Sequence, residues 1–169
     1  MARGDFKLRT PIDPLFTQTW VVDSGTASQA KAGEPCSCDD TAAGSWTGEA
    51  GIMADGEGST TQRFAGIAKS NSTETASAAG EVVTWMPLPG IIYSGKALLS
   101  TTADTAAEIK ALHGKRVVFD LTGSTWTVDA AATDAVANSV IIVGGDYRTT
   151  ELYFAYAFKG TYLGFCISA

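Results

Sequence analysis

The chain has 169 residues, of which 45% are hydrophobic and 18% are charged, and its formal net charge is -6. This length fits one domain with enough apolar material for a core, and the negative charge argues against nucleic-acid binding because a phosphate backbone would be repelled. The many Gly, Thr and Ser residues and the scarcity of charged ones are unlike solvated helices, so we predict a mostly β protein.

Residues 1–14 are predicted to form an extended N-terminal arm ahead of a single β domain over residues 15–169. Pro11 and Pro14 disfavour a helix in this segment. Arg3, Lys7 and Arg9 make the start of the chain weakly basic, whereas the rest is acidic. Two interpretations are open: an arm that meets an acidic neighbour, or a solvated terminus.

The first predicted strands lie on either side of a long loop. Residues 15–22 are rich in aromatic and β-branched side chains, and residues 62–69 alternate in the manner of a strand. Residues 31–38 form a shorter strand in which Pro35 favours a sheet edge. Residues 39–61 are predicted to be an acidic, Gly-rich loop, and the stretch 32–62 holds six acids with no Lys or Arg: Glu34, Asp39, Asp40, Glu49, Asp55 and Glu57.

Three large apolar residues, Trp46, Ile52 and Met53, stand within the predicted loop. A solvated linker has no use for a tryptophan. The loop is therefore expected either to pack on its own domain or to dock on a partner through these residues.

The second half of the chain is predicted to hold one helix among short strands. The helix covers 105–113, with Thr102 or Asp104 capping its start and Gly114 following its end. The predicted strands are 81–88, 91–99, the hairpin 115–121 and 125–130, then 139–143 and 151–158 around a turn at Gly144-Gly145-Asp146, and finally 162–167. This spacing indicates a small barrel or sandwich.

The chain offers little catalytic or metal-binding chemistry. His113 is the single histidine, and its place at the end of a helix suits a dipole partner better than a catalytic base. Asp120 and Asp129 approach each other across the predicted hairpin, but outward-facing polar residues explain them equally well. We expect no enzyme activity, cofactor or metal.

The three cysteines, Cys36, Cys38 and Cys166, do not have the spacing of a zinc site. Small buried hydrophobes are the favoured interpretation, and pairing of Cys36 or Cys38 with Cys166 stays open. No signal peptide or membrane-spanning stretch is evident, so synthesis in the cytosol is expected.

The four tryptophans, Trp20, Trp46, Trp85 and Trp126, raise the alternative of a glycan-binding module. Three of them fall within strand patterns. A core or intersubunit role is the commoner outcome for such positions.

Residues 55–97 contain the run Phe64-Ala65-Gly66-Ile67-Ala68, a Thr/Ser/Ala-rich turn and Gly80-Glu81-Val82-Val83, with the phrase Ala32-Gly33-Glu34-Pro35 upstream. This pattern resembles the capsid decoration and small head proteins of tailed bacteriophages. The resemblance implies a small β-barrel or β-tulip domain, often a trimer, that binds the major capsid protein on the outside of a virion. An alternative is another structural subunit, of a tail tube or head fibre.

The resemblance also implies an N-terminal arm that adds a strand to a neighbouring capsid subunit. Strand addition places alternate side chains in pockets. The candidate interface residues of the arm are Arg3, Phe6, Lys7, Leu8, Arg9, Ile12, Leu15 and Phe16.

Overall fold

The computed structural model describes residues 6–9, 16–22, 30–40, 46–52, 62–88, 90–132 and 140–156. Within these ranges the chain forms eleven strands and one α-helix, α1 (Ala106–Leu112), which confirms the predicted mostly β fold. The strands are β1 Lys7–Leu8, β2 Thr17–Val22, β3 Pro35–Asp40, β4 Trp46–Ile52, β5 Gln62–Ala68, β6 Gly80–Trp85, β7 Ile92–Lys96, β8 Arg116–Thr122, β9 Thr125–Asp129, β10 Val140–Asp146 and β11 Glu151–Tyr156.

The strands form two sheets. Strands β2 to β6 close into a five-stranded barrel in the order β2-β4-β3-β5-β6. The later strands form a six-stranded sheet in the order β1-β7-β11-β10-β8-β9. Except for β1, each sheet is thus built from one continuous half of the chain.

Strand β5 packs against both cores. Phe64 and Ile67 belong to the larger core of the six-stranded sheet, while Ala65 and Ala68 line the five-stranded barrel. The change of face follows from a register shift between β3 and β5. Cys36 pairs with Gly66 but the next residue, Ser37, pairs with Phe64, so Ala65 of β5 is the extra residue. Such a bulge adds one residue to a strand and redirects its side chains.

Gly66 is required by the close approach of β6. Its φ is +118°, and a Cβ at this position would lie 2.0 Å from the carbonyl oxygen of Trp85. Only glycine adopts this conformation readily and leaves room for the neighbouring backbone. The contact fixes the seam between β5 and β6, which closes the five-stranded barrel.

The helix is confirmed, but its cap differs from the prediction. Thr105, rather than Thr102 or Asp104, is the N-cap: its hydroxyl accepts from the Glu108 N–H, and the Glu108 carboxylate accepts from the Thr105 N–H. This reciprocal pair is a capping box. Gly114 follows the helix with a φ of +86°, as predicted for the residue that ends it.

Three strand predictions need correction. Strand β3 lies between β4 and β5, not at an edge, because Pro35 is its first residue. Part of the predicted 39–61 loop is strand, since β3 extends to Asp40 and β4 covers Trp46–Ile52. Gly144-Gly145-Asp146 is not a turn: β10 runs through it with a bulge between Ile142 and Gly144.

The predicted final strand, 162–167, lies wholly outside the described residues. Across the described ranges, no helix has both the length and the apolar character needed to span a bilayer.

Candidate interaction surface

The predicted arm meets its own chain at residues 6–9. Phe6 is 3% exposed and belongs to the larger core. Strand β1 pairs antiparallel with β7, Lys7 opposite Ser94 and Leu8 opposite Tyr93. In this structure the strand is added to the chain's own sheet, where Phe6 is buried. The expected strand addition to a neighbouring capsid subunit stays a prediction.

Arg9 binds the end of this segment to β11 through an ion pair and a ring contact. Its guanidinium lies 2.5 Å from a Glu151 carboxylate oxygen and stacks 4.6 Å from the centre of the Tyr153 ring. The other Glu151 oxygen accepts from the buried hydroxyl of Ser94 at 2.7 Å. Arg9 thus finds its acidic partner within the same chain.

The other predicted interface residues have mixed positions. Phe16, immediately before β2, is 41% exposed, and its carbonyl oxygen accepts from the Met86 N–H. Trp46 and Ile52 are the first and last residues of β4. Arg3, Ile12, Leu15 and Met53 lie outside the described residues.

An exposed apolar strand position stands out on the five-stranded barrel. On β2, the buried Trp20 and Val22 alternate with Val21, which is 48% exposed. Across the seam, Val21 pairs with Glu81 and Thr19 pairs with Val83. We call the outward side of Thr19, Val21, Glu81 and Val83 the β2–β6 face.

Buried hydrogen bonds lie beneath the β2–β6 face. Trp20 donates its indole N–H to the Thr84 hydroxyl at 2.9 Å, and that hydroxyl donates to the Ala65 carbonyl oxygen at 3.0 Å. These buried bonds connect β2, β6 and β5. Because β2 has a neighbour on each side in a closed barrel, the face presents side chains rather than a free strand edge.

The candidate acidic pair has structural partners. Asp120 accepts from the Thr122 hydroxyl, and Asp129 accepts from the backbone N–H groups of Ala131 and Ala132. The Asp120 bond runs along β8, and the Asp129 bonds stabilise the turn that follows β9. Among the described residues, no three His, Cys, Asp or Glu side chains gather as metal ligands would.

The three tryptophans whose side chains the structure describes do not form an exposed platform. Trp20 and Trp126 are buried, and Trp85 packs against the larger core. Tyr153 is covered by Arg9. These positions match the core role that the strand pattern favoured and give no support to sugar stacking, which needs exposed ring faces.

Cys36 is a free, buried thiol in the five-stranded barrel. Burial raises its pKa from 9.0 to about 12, and the nearby Glu34 carboxylate adds to the rise. Cys166 and the Cys38 side chain lie outside the described part of the structure, so the pairing of Cys36 or Cys38 with Cys166 stays an open prediction.

Labelling of Cys36 is expected to report opening of the barrel. At pH 8 the raised pKa leaves about a thousand-fold less thiolate than an ordinary cysteine has, and the thiolate is the reactive form. Mass spectrometry after timed alkylation should find Cys36 unmodified in the folded protein and rapidly modified in denaturant. Rapid modification of the folded protein would contradict its burial.

Comparison of the chain with protein-family models, with curated proteins and with solved structures finds no match.

The β2–β6 face was not predicted from the sequence. Val21 was part of a predicted strand, and alternation with Trp20 and Val22 was the signal that it points outward. The identity of its cross-strand partner carries no such local signal, because Val21 and Glu81 are far apart in the chain.

Proposed function

We propose that this chain is a non-enzymatic structural subunit that decorates and stabilises the outside of a tailed-phage capsid. The observation that carries the proposal is the exposed Val21 on the β2–β6 face. The resemblance over residues 55–97 supports it, because that segment supplies β5, β6 and β7 and implies a small β-barrel of the kind described above.

The proposed contact is between the β2–β6 face and the major capsid protein. The exposed apolar side chain of Val21 suits the buried core of an interface, and its cross-strand partner Glu81 suits a polar rim. Residues 6–9 support the body of the subunit in this proposal and do not reach the shell. The resemblance implies a trimer, with three copies around a threefold site of the virion.

Replacing Val21 with lysine is expected to weaken shell binding about 30-fold. A desolvated charge at the centre of an interface costs about 2 kcal/mol or more, which corresponds to that factor. The fold should persist because Val21 is exposed and the lysine would face Glu81. Cosedimentation with undecorated shells measures the binding, and thermal melting verifies the fold.

Leu99→Lys is the matched control. Leu99 is 50% exposed but follows β7 of the six-stranded sheet, whereas the β2–β6 face belongs to the five-stranded barrel. Equal binding losses in the two variants, or no saturable binding of the unchanged protein, would contradict the proposal. Filaments or rings formed without shells would instead favour a tail-tube or head-fibre subunit.

A further inference from the structure

Residues 6–9 lie in a gap between β7 and β9 of the six-stranded sheet. One edge of β7 pairs with β11. On the other edge of β7, the carbonyl oxygen of Ile92 accepts from the Arg9 N–H at 2.7 Å. Just after β7, the Leu98 N–H donates to the Val128 carbonyl oxygen of β9 at 2.9 Å. The sheet thus curls until β9 reaches the end of β7, and β1 fills the space that remains.

The gap is shaped for a phenylalanine. The ring of Phe6 lies 4.8 Å from that of Phe119 and 5.2 Å from that of Phe154, centre to centre. A Cβ on Gly95 would lie 2.3 Å from the Phe6 ring, so the slot exists because residue 95 is glycine. Apolar aromatic contacts of this kind supply most of the affinity in a small site.

Polar contacts set the direction and register of the segment. At one end the Phe6 N–H donates to the Gly33 carbonyl oxygen at 3.2 Å. At the other end the Arg9 guanidinium is held by Glu151 and Tyr153. The slot therefore selects an extended Phe-x-x-Arg segment, with backbone pairing between the two anchors.

All of these contacts are made by residues 6–9, and the slot is built from residues distant in sequence. The same segment from another molecule would satisfy every one of them. Seven chain steps join Arg9 to Phe16, and a chain of that length reaches at most roughly 25 Å. Such a connection allows the segment to cross to an adjacent copy.

We propose that the slot between β7 and β9 takes residues 6–9 of a second copy, so that copies of this chain exchange their N-terminal strands. Exchange of an identical element needs no new contact surface, which makes it a low-cost route to association. A second copy fits better than an unrelated peptide because its Phe6 and Arg9 have the spacing that the slot requires. The exchange is independent of the proposed function, since it needs no shell.

Two cysteine variants test the exchange. Lys7 and Ser94 face each other in the register of β1 and β7, at a separation that a disulfide can span. Lys7→Cys protein, labelled with a heavy isotope, is mixed with unlabelled Ser94→Cys protein, incubated and oxidised. Mass spectrometry of the cross-linked peptides separates a disulfide between positions 7 and 94 from any link that involves the native cysteines.

The expected result is a disulfide that joins position 7 of a heavy chain to position 94 of a light chain, with a yield that rises with protein concentration. An unlabelled peptide of residues 2–12 should suppress the link, and the same peptide with Phe6→Ala should not. The double variant Lys7→Cys/Ser94→Cys verifies the register. A link that forms in the double variant but not in the mixture would overturn the exchange, and no link in either would overturn the slot itself.

Discussion

Replacing Phe6 with alanine is expected to lower the free energy of unfolding by about 3–5 kcal/mol, the usual cost of truncating a fully buried phenylalanine. The ring packs against Phe119 and Phe154 and lies directly over Gly95. Chemical denaturation of the purified variant measures the change.

Lys7→Ala is the control for this substitution. Lys7 belongs to the same strand but is exposed, so its loss should change stability by no more than about 0.5 kcal/mol. Equal stabilities of the two variants would show that residues 6–9 do not dock on the six-stranded sheet. A large difference between them would show that the start of the chain belongs to the folded body.

Gly66→Ala is expected to cost about 3 kcal/mol or more. The new Cβ would collide with the Trp85 carbonyl oxygen at 2.0 Å, and the obstacle is backbone that cannot rotate away. Overpacking of this kind costs about 1–3 kcal/mol, and the positive φ adds about 1–2 kcal/mol. The loss should appear as a lowered denaturation midpoint or as failure to fold.

Gly114→Ala separates the two causes. Gly114 also has a positive φ, +86°, but a Cβ there meets nothing within 4 Å. Its substitution should cost only the conformational part, about 1–2 kcal/mol. If the two alanine variants are equally stable, the close approach of β5 and β6 is not what requires glycine at position 66.

The position of the N-terminal segment changes the choice of experiment on function. Deleting residues 2–14 removes Phe6 from the core, so lost shell binding after that deletion would be explained by lost stability. Substitution of the exposed Val21 avoids this ambiguity because its side chain contributes little to either core. The β2–β6 face is thus the sharper place to test the proposed function.

Local patterns predicted the strands that have strong local signals. The apolar and β-branched runs of β2, β8 and β9 were recognised, as was the helix with its following Gly114. The β8–β9 hairpin was predicted as well, and its two-residue connection joins Thr122 directly opposite Thr125. In these elements side-chain propensity and turn residues agree with the fold.

Strand β4 shows where local signals fail. Its sequence, WTGEAGI, contains two glycines and a glutamate, which are depleted in strands. It becomes a strand because β3 pairs with it along Cys36–Ile52 and Ser37–Gly51 inside a closed barrel. Long-range pairing of this kind outweighs propensity and leaves no local trace in the sequence.

The N-terminal segment shows the same limit. Its prolines and charges were compatible with an arm, and its partner residues, Gly33, Gly95 and Glu151, are scattered along the chain. Glycine at position 95 predicts a slot only once Phe6 is known to lie above it. Tertiary contacts therefore decided both the position of Phe6 and the identity of the exposed face.

Cryo-electron microscopy of undecorated phage shells incubated with the purified protein tests the proposed function most directly. We expect regular density for the subunit on the outer surface of the shell, with the β2–β6 face and Val21 against the major capsid protein. Shells that stay bare at saturating protein, or subunits that meet the shell through the six-stranded sheet, would contradict the proposed function.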